Sequence, residues 1–269
     1  MKKSLQINGF ILLCILLPLL AQAQDESQRV TIDDLMSLQS LSSPQISPDG
    51  EWVAYVVRSR DMEEDKSNTQ VFMVATSGGE PIPMTDKETS ASDPQWSPDG
   101  KFLSFTASKG EDAKTQIWTL NRLGGEAVQL TNVIPGVGDY AWSPDGSRLL
   151  LTLTDPKPAD LTEDKDDDNK AVPYVIDRMQ FKQDYSGYLD RRRTHVYVYT
   201  PNSDTTVQLT FGDYDDSNPV WSPDGKSIAL VSDRSDNPDL NYGTDIFVVN
   251  VDDKDPVLTQ VTSNPGRDF

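Results

Sequence analysis

A single histidine, a run of alternating aspartates and a run of arginines are the side chains of this 269-residue chain best suited to chemistry. His195 is the only group of its kind, and a Ser-His-Asp relay needs one beside a nucleophile. It stands at the start of a strand-like run behind three arginines, so it reads as an exposed or strand-end structural residue. Asp164, Asp166 and Asp168 match the first, third and fifth positions of a calcium-binding EF-hand loop. The sixth position, however, is Asn169 where Gly is needed, and the twelfth is Val175 where a bidentate Glu is needed. Segment 163–168 therefore reads as a solvated loop, and no metal or other cofactor is expected. Arg191, Arg192 and Arg193 form the one basic cluster, and with Tyr185 and Tyr188 they are placed to meet a carboxylate or another domain. Pairing with local acids such as Asp184 and Asp190 is the competing reading. No Gly-x-Ser-x-Gly nucleophile elbow occurs, so no catalytic residue is assigned.

The elements that hold these residues come from a repeat. Ser-Pro-Asp-Gly occurs four times, ending at Gly50, Gly100, Gly146 and Gly225, after Ile46, Trp96, Trp142 and Trp221. An Asp-Gly pair tolerates positive φ at the centre of a two-residue turn, so each copy is expected to close a hairpin. Apolar runs rich in β-branched and aromatic residues follow, at 52–57, 102–106, 149–153 and 228–231. Alternating strands come next, at 70–74, 116–120, 195–199 and 245–249, then a turn and a short strand ending in Thr85, Thr131, Thr210 or Thr262. Four strands per unit at a period of roughly 45–50 residues predicts an all-β chain, a β-propeller with four-stranded blades. About four blades are present, in an incomplete ring. The motif tryptophans, Trp52 and Trp118 read as core, and Asp49, Asp99, Asp145 and Asp224 as turn formers. An extra segment at about 155–194 lengthens the third repeat, and inserts of that length often carry function.

Lys2 and Lys3, the apolar run 10–20 and Ala21-Gln22-Ala23 predict a secretory signal peptide over 1–23. The expected location is periplasmic or extracellular, with no membrane attachment after cleavage. Segment 24–42 reads as a lead-in with a short helix around Ile32, Leu35, Met36 and Leu38, and the propeller as 43–269. The only cysteine, Cys14, falls in the leader, so stability must come from packing alone. A net charge of −19 repels phosphate backbones and anionic headgroups, which argues against nucleic-acid and membrane-surface binding. The tail Ser263-Asn264-Pro265 repeats the approach seen at Ser92-Asp93-Pro94 and Ser217-Asn218-Pro219, so the chain reads as the N-terminal part of something longer.

Trp-Ser-Pro-Asp-Gly repeats with later Gly-Gly and Leu-Thr resemble the propeller repeats of TolB and of exported serine peptidases of the prolyl oligopeptidase family. The insertion is more specific. Residues Asp177 to Lys182 and Gly187 to Val198, with Leu209 to Asp216, are similar to the acylaminoacyl-peptidase-like branch, and the likeness runs from about Ile32 to Phe269. That resemblance implies a propeller that covers an active site and admits short peptides. A C-terminal α/β-hydrolase domain of the parent protein, carrying Ser, Asp and His, would cleave them. A TolB-like periplasmic scaffold that presents a protein-binding surface is the alternative, weakened because a TolB protein is expected to place an α/β domain before its propeller. A propeller lyase or glycosidase would need clustered histidines or paired acids, and there is one histidine.

Overall fold

The computed structural model describes residues 30–110, 113–157, 175–184, 186–240, 243–263 and 266–269. The leader, the aspartate run 163–168, Tyr185 and the tail residues Asn264 and Pro265 lie outside them. The chain divides into two units, Met1–Leu38 and Gln39–Phe269. In the first, α1 (Ile32–Ser37) is the expected short helix. A capping box starts it: the Asp34 amide donates to Thr31 Oγ1 at 3.1 Å and the Thr31 amide to Asp34 Oδ2 at 2.8 Å. Leu38 is already extended, past the helix end.

Among its described residues the second unit has four four-stranded antiparallel sheets, each with its strands paired in chain order, and one two-stranded hairpin. The first blade is β1 (Ser40–Ile46), β2 (Trp52–Asp61), β3 (Lys66–Ala75) and β4 (Ile82–Pro83); the second is β5 (Ala91–Trp96), β6 (Phe102–Ala107), β7 (Gln116–Asn121) and β8 (Val128–Gln129). The third is β9 (Tyr140–Trp142), β10 (Leu149–Thr154), β13 (Thr194–Thr200) and β14 (Thr205–Gln208), with a hairpin of β11 (Lys182–Gln183) and β12 (Gly187–Tyr188) inserted between β10 and β13. The fourth is β15 (Asp216–Trp221), β16 (Ser227–Ser232), β17 (Asp245–Asn250) and β18 (Thr259–Gln260). This is a β-propeller whose ring is open. Its first strand opens at Ser40, ahead of the boundary expected at 43, because Ser40, Leu41 and Ser42 pair with Arg58, Val57 and Val56.

The repeated tetrapeptide closes each hairpin, but not through the expected two-residue turn. Gly100 has φ 69° while Asp99 keeps a negative φ, and the Gly100 amide bonds the Ser97 carbonyl at 2.8 Å. That is a type I turn with Pro98 at its second position, whose ring fixes φ near −65°, followed by a left-handed glycine. Asp99 acts through its carboxylate: it accepts from Ser97 Oγ at 2.7 Å and from the Lys101 amide at 3.1 Å. Ser97 Oγ in turn accepts from the Phe102 amide at 3.0 Å, and the other three copies repeat the pattern. With Ser97 donating most strongly, the Asp99 carboxyl is lowered to about 2.

Both faces of each inner sheet are buried, because neighbouring blades cover them. In β6, Leu103 and Phe105 pack on Ala54, Val56, Val71 and Met73 of the first blade. Ser104, on the opposite face, bonds the third blade through Tyr140 Oη at 2.9 Å and Trp142 Nε1 at 2.9 Å. The motif tryptophans reach across the same seams, Trp96 Nε1 to the Gln45 carbonyl at 3.0 Å and Trp221 Nε1 to the Ala141 carbonyl at 3.2 Å. The repeat threonine ties the outer strands: Thr131 Oγ1 accepts the Ile117 amide at 2.9 Å, and Thr85, Thr210 and Thr262 do the same in their blades.

Tyr140 stands where the second blade has Pro94, and its hydroxyl also donates to the Asp93 carbonyl at 2.8 Å. Burial pushes that phenol well above its usual range. Tyr140→Phe is expected to cost about 1–2 kcal/mol, because the buried Ser104 hydroxyl and the Asp93 carbonyl each lose a hydrogen bond. Urea unfolding at neutral pH measures it, and a loss below the lower figure would show the seam relaxing around the missing hydroxyl.

Candidate functional site

Chain-ordered antiparallel sheets put the tetrapeptide turns at one end of the propeller. The connections between second and third strands, and between successive blades, lie at the other. The insertion belongs to that second end, beside the segment that leads from β14 into β15.

Arg178 anchors it. Its side chain is 9% exposed, and its Nε and Nη2 donate to the two oxygens of Asp239, at 3.2 and 2.5 Å. Nη1 donates to the Asp190 carbonyl at 2.7 Å, and the Gln180 amide adds a contact to Asp239 at 3.3 Å. The Arg178 guanidinium holds the Asp239 carboxyl below the usual range. The hairpin β11–β12 is extended by the Leu189 amide bonding the Phe181 carbonyl at 2.8 Å, with Lys182 Nζ 5.9 Å from the Tyr188 ring.

The arginine cluster fastens the other end. Arg193 is buried, its Nε donating to Asp213 at 2.7 Å and its Nη1 to Asp215 at 2.8 Å. Burial works against its charge, but the two carboxylates outweigh it and raise the guanidinium. Arg191 bonds Asp177 at 2.9 Å and Asp213 at 3.2 Å, and Arg192 bonds Asp190 at 2.7 Å. Of the five expected contact residues, the three arginines are thus brought together and paired with acids of this chain, and Tyr185 lies outside the described residues; Asp190 is one of the acids the sequence nominated. Tyr188 is exposed, as are Met179 and Ile176 on the same insertion. The geometry therefore turns Arg178 and Arg193 inward, while Tyr188, Met179 and Ile176 stay at the surface beside the exposed charges of the insertion.

Beside this lattice is an open cleft of about 420 Å³, bounded by Arg178, Gln180, Arg193, Asp215, Asp239 and Phe269. Its walls alternate in sign, which suits a polar, extended ligand better than an apolar one.

His195 is buried, not exposed, and it fills a structural position. Gln70, Gln116 and Asp245 occupy the same place in their blades, one residue ahead of the amide that bonds the repeat threonine. Gln70 bonds the Thr85 carbonyl at 3.0 Å, Gln116 the Val133 carbonyl at 2.8 Å, and His195 Nδ1 faces Asp216 at 3.4 Å. Among the described residues no group of three or more His, Cys, Asp and Glu is placed to hold a metal. Sequence reasoning missed Arg178, Asp213, Asp215 and Asp239 as one constellation; the opposite charges of 191–193 and 213–216 were the available signal.

Arg178→Ala is expected to release the insertion while leaving the blades intact. Losing charge-assisted bonds of roughly 1.5–3 kcal/mol each should speed local opening at least about tenfold. Amide hydrogen exchange in residues 175–190 reads this directly, and unchanged protection there would show that Arg178 is not the anchor.

No family model matches the chain. It is 29% identical over 221 residues to a Bacillus subtilis (strain 168) protein named as an uncharacterized peptidase, YuxL, covering 82% of this chain and 34% of that one. Dipeptidyl-peptidase 5 of Porphyromonas gingivalis is 30% identical over 83 residues, 31% of this chain and 12% of that one. The chain thus spans 34% and 12% of the length of these relatives. Among solved structures, an acylaminoacyl peptidase from Pyrococcus horikoshii superposes with a TM-score of 0.64 at 22% identity, over 85% of this chain and 33% of that one. TolB from Acinetobacter baumannii gives 0.51 at 20% identity, over 85% and 45%. The structural likenesses show the propeller fold; the sequence matches show a chain similar to part of proteins named as peptidases.

Proposed function

We propose that this chain is the substrate-gating propeller segment of an exported serine peptidase of the prolyl oligopeptidase family. A downstream α/β-hydrolase domain would hydrolyse peptides through an acyl-enzyme, and the propeller would admit and orient short peptides. The observation that carries the reading is the third-blade insertion. It is folded back over the blade 3–4 end and pinned by the nearly buried Arg178–Asp239 pair, which makes a firm rim around a polar cleft. The 29% identity to a named peptidase runs through these blades and supports the same assignment. Export rests on the leader motif, and no helix among the described residues is long and apolar enough to cross a membrane.

The exposed apolar residues of the insertion favour the TolB-like binding scaffold as second reading. Isolating the native protein with an antibody against residues 24–269 separates the two. A species more than about twice the mass of this chain, labelled by a fluorophosphonate and active on peptide nitroanilides, is expected, since further blades and a hydrolase domain need that length. An unlabelled species near 29.9 kDa would overturn the peptidase reading in favour of the scaffold.

A further inference from the structure

A groove of about 340 Å³ runs along the seam between the first and second blades, away from both flanks of the ring. Its floor is apolar: Phe105 and Leu120 are buried, and Met84 and Ala127 are half-buried against the same core. Lys109 stands at one end, on the connection from β6 to β7, and Glu126 at the other, in the turn from β7 to β8. From Leu103, the partner of Leu120, to Ala107 the β6 strand rises about 13 Å, which sets the length of the floor.

The space and its unmet charge come from departures within the repeat. Ala107 stands where the third blade carries the buried Leu153, at the same distance from its motif glycine. Its partner Ala91 stands where the fourth blade carries Asp216, since Ala91 pairs with Ala107 as Asp216 pairs with Ser232. Lys109 is by the same register the counterpart of Arg234. Arg234 is met by the Asp216 carboxylate at 2.5 Å, whereas Ala91 has no carboxylate to offer Lys109. Among the described residues Lys109 forms no ion pair, and its Nζ lies 4.3 Å from the centroid of the Trp118 ring. Glu126 is exposed and also forms no ion pair among the described residues. Asp86, the other charged group on the groove, accepts the Glu88 and Thr89 amides of its own turn at 3.0 and 2.8 Å on one oxygen.

We propose that this groove binds a short linear peptide in extended form. The peptide's C-terminal carboxylate meets Lys109, in the seat that Asp216 fills beside Arg234. Its terminal ammonium faces Glu126, and an apolar side chain rests on Phe105 and Leu120. Opposite charges at ends about 13 Å apart fit the two termini of three or four extended residues. An apolar floor with a few placed polar groups is the usual make-up of a small-ligand site, whereas a simple anion or cation would leave the floor and one charged end unused. The inference does not rest on the peptidase reading, because binding in this groove needs no catalytic domain.

Isothermal titration calorimetry of the purified chain with the tripeptide Ala-Leu-Ala tests it. Saturable one-to-one binding is expected, weakened at least about tenfold when the peptide is C-terminally amidated or Lys109 is replaced in Lys109→Met, each of which removes one charge-assisted contact. N-acetylation of the peptide and Glu126→Gln should weaken binding less, because Glu126 is exposed. Ala107→Leu fills the floor with the residue that the third blade carries and should abolish binding. Ala91→Asp should give Lys109 an internal carboxylate that competes with the peptide's. Circular dichroism confirms that each variant is folded, and Lys109 is exposed, so its substitution reads the site without disturbing the core. A wild-type chain that binds no peptide, its groove open or covered by another segment such as residues 30–38, overturns the proposal. So does binding that persists unchanged in both Lys109→Met and Ala107→Leu, which would place the peptide elsewhere.

Discussion

Phe105→Ala is expected to cost about 3–5 kcal/mol, the range for deleting a buried aromatic side chain whose cavity cannot collapse. Phe105 is 1% exposed and faces Ala54, Val56, Val71 and Met73 across the seam of the first two blades. Those neighbours belong to a sheet fixed at both ends by its turns, so they have little freedom to close the gap. The form of the loss matters as much as its size. Repeat units are stabilised by their own contacts plus those to adjacent units, so weakening one seam uncouples the blades on either side of it. Denaturant unfolding followed by tryptophan fluorescence should separate into two steps, with Trp52 reporting the first blade and Trp96, Trp118, Trp142 and Trp221 the other three. Phe105→Leu, which refills most of the space, should cost under about 1.5 kcal/mol and keep a single transition. A single shifted transition for the alanine variant, with a loss below about 1 kcal/mol, would show that the seam does not couple the blades as described.

The blades were legible in sequence because their signals are local. β-branched runs such as 228–231 and the Ser-Pro-Asp-Gly turns specify strand and reversal within a dozen residues, and every expected strand is present. The turn type was misread because Asp-Gly alone also suits a two-residue turn. Pro48 and its counterparts one position earlier decide the matter, since their fixed φ belongs to the second position of a type I turn. The site was less legible because its partners are distant in the chain. Arg193 is a solvated cation in sequence and a buried one in the structure because Asp213 and Asp215 return past it on the way into the next blade. Arg178 finds Asp239 only because the insertion folds back onto the fourth blade. His195 was judged by its arginine neighbours, whereas its surroundings are set by Asp216 across the seam.

That same seam carries the second large effect, because its central charge has no access to water. Asp216→Ala is expected to destabilise the chain by about 3 kcal/mol, the lower end of the range for removing one member of a buried ion pair. The Asp216 side chain is fully buried, with Arg234 Nη2 at 2.5 Å from one oxygen and His195 Nδ1 at 3.4 Å from the other. Arg234 keeps some compensation after the loss, from Ser232 Oγ at 2.9 Å, the Phe211 carbonyl at 2.9 Å and the Tyr214 ring 4.7 Å away, which places the cost at the lower end. Burial alone would push the Asp216 carboxyl upward. The hydrogen bonds of His195 and Thr210, the charge of Arg234 and the bond to Ser232 outweigh it and leave the group below its usual range. The charged form is therefore favoured more in the folded chain than in the unfolded one. Its stabilisation is complete above the unfolded carboxyl value near pH 4 and is lost as pH falls through the lower folded value. Asp215, Arg193 and Arg234 are the other charges at this seam, and Asp213, which Arg193 also holds low, adds a weaker contribution of the same sign because it is exposed. Asp216→Asn should consequently remove part of the acid-side slope of stability while the wild type retains it. Urea unfolding of wild type, Asp216→Ala and Asp216→Asn between pH 3 and pH 7 measures both quantities. An alanine variant within about 1 kcal/mol of wild type, or an asparagine variant with an undiminished acid slope, would mean that the carboxylate is not the charge that fastens the third blade to the fourth.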